Sequence, residues 1–322
     1  MPPSTQTHAW GEQHGGRFVT PYYYSQLDLQ SHARRTGVSD KEEAEAVQRT
    51  TTIVSRVSRR LKLPGKTYAI ASNLLHRFYA AWPRKSPYYT EEEMICACMD
   101  LACKLQETPI RLPQLSSHVL SEMRGEKLTE EEAKSEMEHR LSPHQQKLLE
   151  SLQFNTDIVH PFHALAMIAK QLDDVRLGPT VPKSDPPRHW FYKQCSRIVL
   201  DTYRITICIQ FPAHVIAMAS VYVAKDLLDV EVWPILEQDF FGDCGCHGKH
   251  VEDAALQILE MYQTNPLTPD HRSIVKVGPA LESLRAKIRA RPGPGPSSAY
   301  PAPPGHYDRD TSDSASPYDQ RQ

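Results

Sequence analysis

The chain has 322 residues, 40% of them hydrophobic and 24% charged, enough for one large or two modest globular domains with a true core. Its formal net charge of −2 argues against whole-molecule attraction to nucleic acid or an anionic membrane, so direct nucleic-acid binding is not expected, although Arg56, Arg59, Arg60 and Lys62 form a local basic patch. The opening MPPSTQTHAWGEQHGG lacks a basic start followed by an apolar core, and no run approaches the roughly 20 apolar residues of a membrane span. A soluble, intracellular chain with no membrane partner is therefore the expectation.

Residues 1–20 read as a disordered N-terminus, and the pattern turns helical after them. Ile53, Val57 and Leu61 recur at four-residue spacing until Pro64 and Gly65. In KTYAIASNLLHRFYAAWP, Tyr68, Ala71, Leu74, Leu75 and Phe78 keep a period near 3.6 and predict a second helix. A third opens on Thr90 with Glu93 three residues on, a capping box, and carries Met94, Cys98, Leu101 and Leu105 along one seam to Pro109. Residues 121–141 are charged with few apolar anchors and read as a solvated helix or insert.

Helical patterning resumes at SPHQQKLLESLQFNTDIVHPF and, after the loop RLGPTVPKSDPPRHW, continues through IAMASVYVAKDLLDV. The β-branched run YRITICIQF is the one stretch compatible with a strand, so the predicted fold class is all-α. ICACMDLACKL and IAMASVYVAKDL echo each other: Ala97/Ala102 and Ala219/Ala224 are each followed by a lysine, Lys104 or Lys225, a hint of two stacked copies. Residues 265–322 are assigned to a low-complexity tail, with the basic LRAKIRARP lying before its proline-rich end.

Little of this points to catalysis. PGKT at 64–67 lacks the glycine a phosphate-binding loop needs at position 60, which is Arg60. Cys244, Cys246, His247 and His250 are crowded, with no second cysteine pair at finger spacing, so no metal is assigned. Seven cysteines, an odd number, read as reduced small hydrophobes. His76 and His160 have no nucleophile motif beside them and read as capping or core-edge residues. Ser142, Thr268 and Ser316 precede proline and fit both turn residues and sites of proline-directed phosphorylation. With no catalytic group and no cofactor expected, a function exercised by contact leads.

One edge suits contact. Beside the apolar seam of the third helix, Glu93, Asp100, Lys104 and Glu107 gather on an adjacent face. The reading as a solvated face with Asp100–Lys104 and Lys104–Glu107 pairs stands beside the reading as a recognition edge for a partner helix.

LKLPGKTYAIASNLLHRFY followed by ACMDLACKLQETP resembles the first cyclin box of the transcriptional cyclins, and LLESLQFNTDIVHPF and IAMASVYVAKDLLDVEVW follow in the same order. Over about residues 20–262 the chain is similar to cyclin K, cyclin T and the cyclin subunit of the fungal kinase acting on the RNA polymerase II C-terminal domain. The resemblance implies two tandem five-helix folds, an N-terminal cyclin box at 21–155 and a second cyclin-like fold at 156–264. It implies a nuclear protein, with a cytoplasmic pool left open, whose partner is a transcriptional cyclin-dependent kinase, with a third regulatory subunit also left open. The kinase-binding residues it implies are Lys104, which bonds backbone carbonyls near the kinase αC helix, with Glu107, Gln145 and the apolar Leu101, Leu105, Phe78 and Leu149. The chain itself would supply no catalytic group.

There are two departures. The family's partner glutamate, counted back nine residues from Phe154, falls on Gln145: either the contact is weaker, or Glu150 or Glu107 substitutes, or the register differs. Thr52 stands where the family has an arginine, with Arg49 and Arg56 one turn away. A cyclin-fold scaffold without kinase activation thus stays open. A factor-B-like DNA-gripping protein is disfavoured by the lack of a zinc ribbon and of a basic second repeat.

Overall fold

The computed structural model describes residues 23–137, 139–177, 186–228, 230–233, 236, 238–264 and 271–291; the expected disordered N-terminus lies outside them. Helices α1 (Gln26–Arg35), α2 (Asp40–Arg60), α3 (Gly65–Ala81), α4 (Glu91–Leu105), α5 (Leu112–Arg124), α6 (Glu130–Met137) and α7 (Leu141–Ser151) come first. After them come α8 (Pro161–Gln171), α9 (Pro187–Thr202), α10 (Ala213–Leu228), α11 (Gln238–Asp243), α12 (Gly248–Thr264) and α13 (His271–Arg289). The all-α expectation holds, with one antiparallel strand pair among the described residues, β1 (Asp174–Leu177) against β2 (Val230–Trp233). YRITICIQF is not a strand: Thr206–Ile209 forms a 3-10 turn.

Helix starts follow the sequence signals. Ser25 with Asp28, Ser39 with Glu42 and Thr90 with Glu93 each form a reciprocal capping box that satisfies the first backbone N–H groups of α1, α2 and α4. Apolar packing then sorts the helices into two cores. One lies among α2–α7 and is built on Val54, Val57, Leu74, Leu75, Phe78, Met94, Ile95 and Leu115. The other lies among α8–α13 and is built on Leu165, Val199, Val215, Met218, Val223, Val251 and Ile258. The two echoed helices are central: α4 packs on α3, α5 and α7, and α10 on α8, α9, α12 and α13. Ala97, Ala102, Ala219 and Ala224 are fully buried, so the absence of bulk at these positions lets neighbouring helices approach closely.

Two expectations are corrected. The charged segment 121–141 is not merely solvated: Ala133, Met137 and Leu141 are buried in the first core, because α6 and the first residue of α7 turn their few apolar side chains inward while Glu130, Glu131 and Glu132 stay at the N-terminus of α6. The tail assigned from 265 contains α13, whose Val277, Leu281 and Leu284 are buried in the second core. Its basic end is anchored as well, since Lys287 lies 2.8 Å from the buried carboxylate of Glu252 and Arg291 also pairs with it. Thr268 and Ser316 fall outside the described residues.

Tyr203 joins the two halves. It follows α9, yet its side chain is buried in the first core, edge-on to Tyr68. Its backbone carbonyl accepts from His76 Nε2 at 2.9 Å, and its hydroxyl lies 2.9 Å from His160 Nδ1. Nearby, Thr51 donates to the carbonyl of Arg204 at 3.4 Å, and the Tyr24 amide donates to the carbonyl of Ile209 at 2.9 Å. Close contact extends to Gly65, where an added Cβ would come within 3.2 Å of Leu200. His76 and His160 are thus structural, as their sequence context suggests.

Burial pushes both imidazoles down to about 4. The folded state keeps them neutral where the unfolded chain protonates them, so between pH 4 and about 6.5 the unfolded state binds more protons and stability rises with pH. Stability is therefore expected to fall on acidification from pH 7 to pH 5, by about 2 kcal/mol from His76 alone. Urea denaturation across that range should show this loss in the wild type and a flatter profile in His76→Gln.

Candidate functional site

The far end of α4 is where the buried first core meets solvent. Gln106 caps the helix, Glu107 takes the left-handed conformation (φ 49°), and the Thr108 amide returns to the carbonyl of Cys103 at 2.9 Å. The Thr108 hydroxyl lies 3.3 Å from that of Thr67, tying this turn to the start of α3. Lys104, with 60% of its side chain exposed, stands at the rim.

Three side chains meet there. Lys104 Nζ lies 2.7 Å from Oδ2 of Asp100, one turn back on α4, and donates to Gln145 Oε1 on α7 at 3.3 Å. Gln145 Nε2 in turn donates to Asp100 Oδ2, closing a ring. The Asp100 side chain is only 8% exposed, so it needs both partners. The ring uses two of the three Lys104 N–H donors and leaves one for an incoming carbonyl. As an energy the exposed pair amounts to at most about 1 kcal/mol; its effect is to fix the direction of the ammonium.

The structure therefore brings together Lys104 and Gln145, as the family register implies, and the carboxylate beside them is Asp100. Glu107 is exposed in the turn after α4, and Glu150 accepts from Gln146 on its own helix. Half-buried Leu105 and Leu149 border the ring. Leu101 is 9% exposed and lies under the rim rather than on it. Phe78 is a correction: at 0% exposure, with its ring against Tyr79, Trp82 and Tyr89, it is core, because the α3 seam that carries it faces α4.

Three residues past the end of α7 stands Phe154. It is 67% exposed, and Gln153 and Phe154 both adopt left-handed backbone (φ 52° and 57°), at a cost of about 1–2 kcal/mol each. The turn is held by the Phe154 amide on the carbonyl of Leu149 at 2.8 Å and by Arg77 on the carbonyl of Asn155 at 2.9 Å. The motif of Phe154 was visible in the sequence; its orientation was not, since a phenylalanine after a helix is more often buried. At the other departure, Thr52 is half-buried on α2, while Arg49 pairs with Glu91 at 2.9 Å and Arg56 and Arg60 each reach Glu122 at 2.8 Å. Glu122 thus offsets part of the basic patch.

Residues 20–157 match the family model for the cyclin N-terminal domain. The chain is 24% identical over 264 residues to Cyclin-T1-3 of Oryza sativa, covering 79% of this chain and 51% of that protein. It is 25% identical over 250 residues to the CTD kinase subunit beta of Schizosaccharomyces pombe, covering 74% of this chain and 67% of that protein. It spans about half the length of the cyclin-T relatives it matches. Among solved structures, a chain of the yeast RNA Pol II CTD kinase CTDK-1 complex superposes with a TM-score of 0.61 at 19% identity, over 89% of this chain and 87% of that one. A chain of the CAK complex of Chaetomium thermophilum gives 0.52 at 15% identity, over 87% and 95%. These likenesses establish the fold.

The ring predicts a charge exchange. Gln145→Glu sets a second carboxylate against Asp100 and should cost about 1 kcal/mol, and adding Asp100→Asn should recover it. Urea unfolding of the two single variants and the double variant measures the coupling directly.

Proposed function

We propose that this chain, a cyclin N-terminal domain followed by a second helical fold, is the regulatory subunit of a transcriptional cyclin-dependent kinase that phosphorylates the C-terminal domain of RNA polymerase II. The observation that carries the proposal is the Lys104 ammonium held in direction by Asp100 and Gln145, next in sequence to half-buried Leu105, with half-buried Leu149 one turn after Gln145. A kinase αC helix has an apolar face and, at its ends, backbone groups without internal partners. Such a helix would seat its apolar face on Leu105, Leu149 and Phe154 while a carbonyl takes the remaining Lys104 donor.

Holding αC inward keeps its glutamate paired with the ATP-binding lysine, which kinases require for phosphoryl transfer. The chain contributes shape and one charge, and the chemistry stays with the kinase. The first cyclin box occupies 21–155, and the second fold begins at 156 and extends past 264 to include α13. Support for the substrate comes from the relatives: the fission yeast protein bears the name CTD kinase subunit beta, and the yeast structure is of an RNA Pol II CTD kinase. A nuclear location and room for a third subunit accompany this reading, since the yeast TFIIK structure contains Kin28, Ccl1 and Tfb3.

Lys104→Glu places a carboxylate where a carbonyl must bind and should lower kinase capture at least about tenfold, equivalent to about 1.4 kcal/mol. The measurement is affinity purification of tagged wild type and variant from native cells, with kinases identified by mass spectrometry and assayed on polymerase C-terminal repeats. Equal recovery by the two proteins would contradict the docking face, and no kinase with either would contradict the cyclin function.

A further inference from the structure

We propose that Ser142 is a phosphorylation site for a proline-directed kinase and that its phosphate disables the Lys104 rim; the second half rests on the docking function above. Ser142 and Pro143 are both exposed and form the second and third residues of α7. Whereas α1, α2 and α4 open on capping boxes, α7 opens on Arg140 with no side-chain cap and no acidic residue in its first turn. The residue before proline favours the extended backbone that a kinase cleft accepts. In the transfer, Ser142 Oγ attacks the γ-phosphorus of Mg-ATP. The new Oγ–P bond forms as the bond to the ADP oxygen breaks, and the hydroxyl proton passes to the kinase's carboxylate base.

The consequence follows from position. Ser142 precedes Gln145 by three residues, which puts the two on one face of α7 about one turn apart. A phosphoserine adds a charge of about −1.5 to −2, favoured at a helix N-terminus by the backbone N–H groups there. Two cations are tied to the same stretch of α7: Arg140 precedes Ser142 by two residues, and Lys104 bonds Gln145, three residues after it. Lys104 is shared between Asp100 and Gln145, and Arg140 Nη1 holds Glu93 at 3.3 Å beside His144 at 3.2 Å. Drawing Lys104 toward the phosphate removes the donor meant for the kinase, and drawing Arg140 away from Glu93 loosens α7 on α4.

The test uses the full chain, treated with a purified proline-directed kinase and Mg-ATP or mock-treated, beside Ser142→Ala handled identically. Peptide mapping should find one phosphate on Ser142, and the treated wild type should recover about tenfold less cyclin-dependent kinase than the mock-treated sample, with Ser142→Ala unaffected by treatment. An unmodified Ser142 peptide, or equal recovery by treated wild type and treated Ser142→Ala, overturns the proposal. If the mock-treated wild type recovers no kinase, it is the docking function that has failed. The peptide map then decides alone, a phosphate on Ser142 sustaining the site and its absence overturning it.

Discussion

Helix α4 is closed on every side: all residues from Glu93 to Cys103 are buried, including two acids. Buried carboxylates need partners, and both find theirs on or just before α7, Glu93 from Arg140 and His144, Asp100 from Gln145 with Lys104 added from its own helix. This requirement sets where α7 lies against α4, and Lys104 is the first residue after the buried run 93–103 to reach solvent. The exposed Lys104 rim is thus a by-product of satisfying the core.

The second half repeats the plan with a different ending. Helix α10 is central and buried like α4, and its Lys225 echoes Lys104. Its carboxylate neighbour is the adjacent Asp226 at 3.3 Å, and β1 and β2 flank it where α7 flanks α4. The surroundings of the two echoed lysines therefore differ. Tyr203, seated in the first core while belonging in sequence to the second, joins the copies through His76 and His160.

The helices from α2 to α4 were legible because apolar periodicity and capping boxes are local signals, and Thr90 with Glu93 marks the start of α4 to the residue. The Asp100–Lys104 pair was legible for the same reason, being one helical turn. Its closure by Gln145, 41 residues on, came only through the family register. Periodicity says which face of a helix is apolar and not what covers it: it puts Phe78 on the apolar seam without showing that α4 buries it, and it is silent on Phe154, outside any periodic stretch. α13 was hidden by the proline and glycine after it, by Pro279 within it and by a charged surface, although Val277, Leu281 and Leu284 keep helical spacing.

The central claim is that the kinase seats on the rim between the end of α4 and α7. Hydrogen exchange of the chain alone and in its purified kinase complex tests this most directly. Slowed exchange concentrated in residues 101–110 and 141–159, with α12 and α13 unchanged, is the predicted result. Protection confined to the second fold, with the Lys104 rim exchanging as in the free chain, would contradict it.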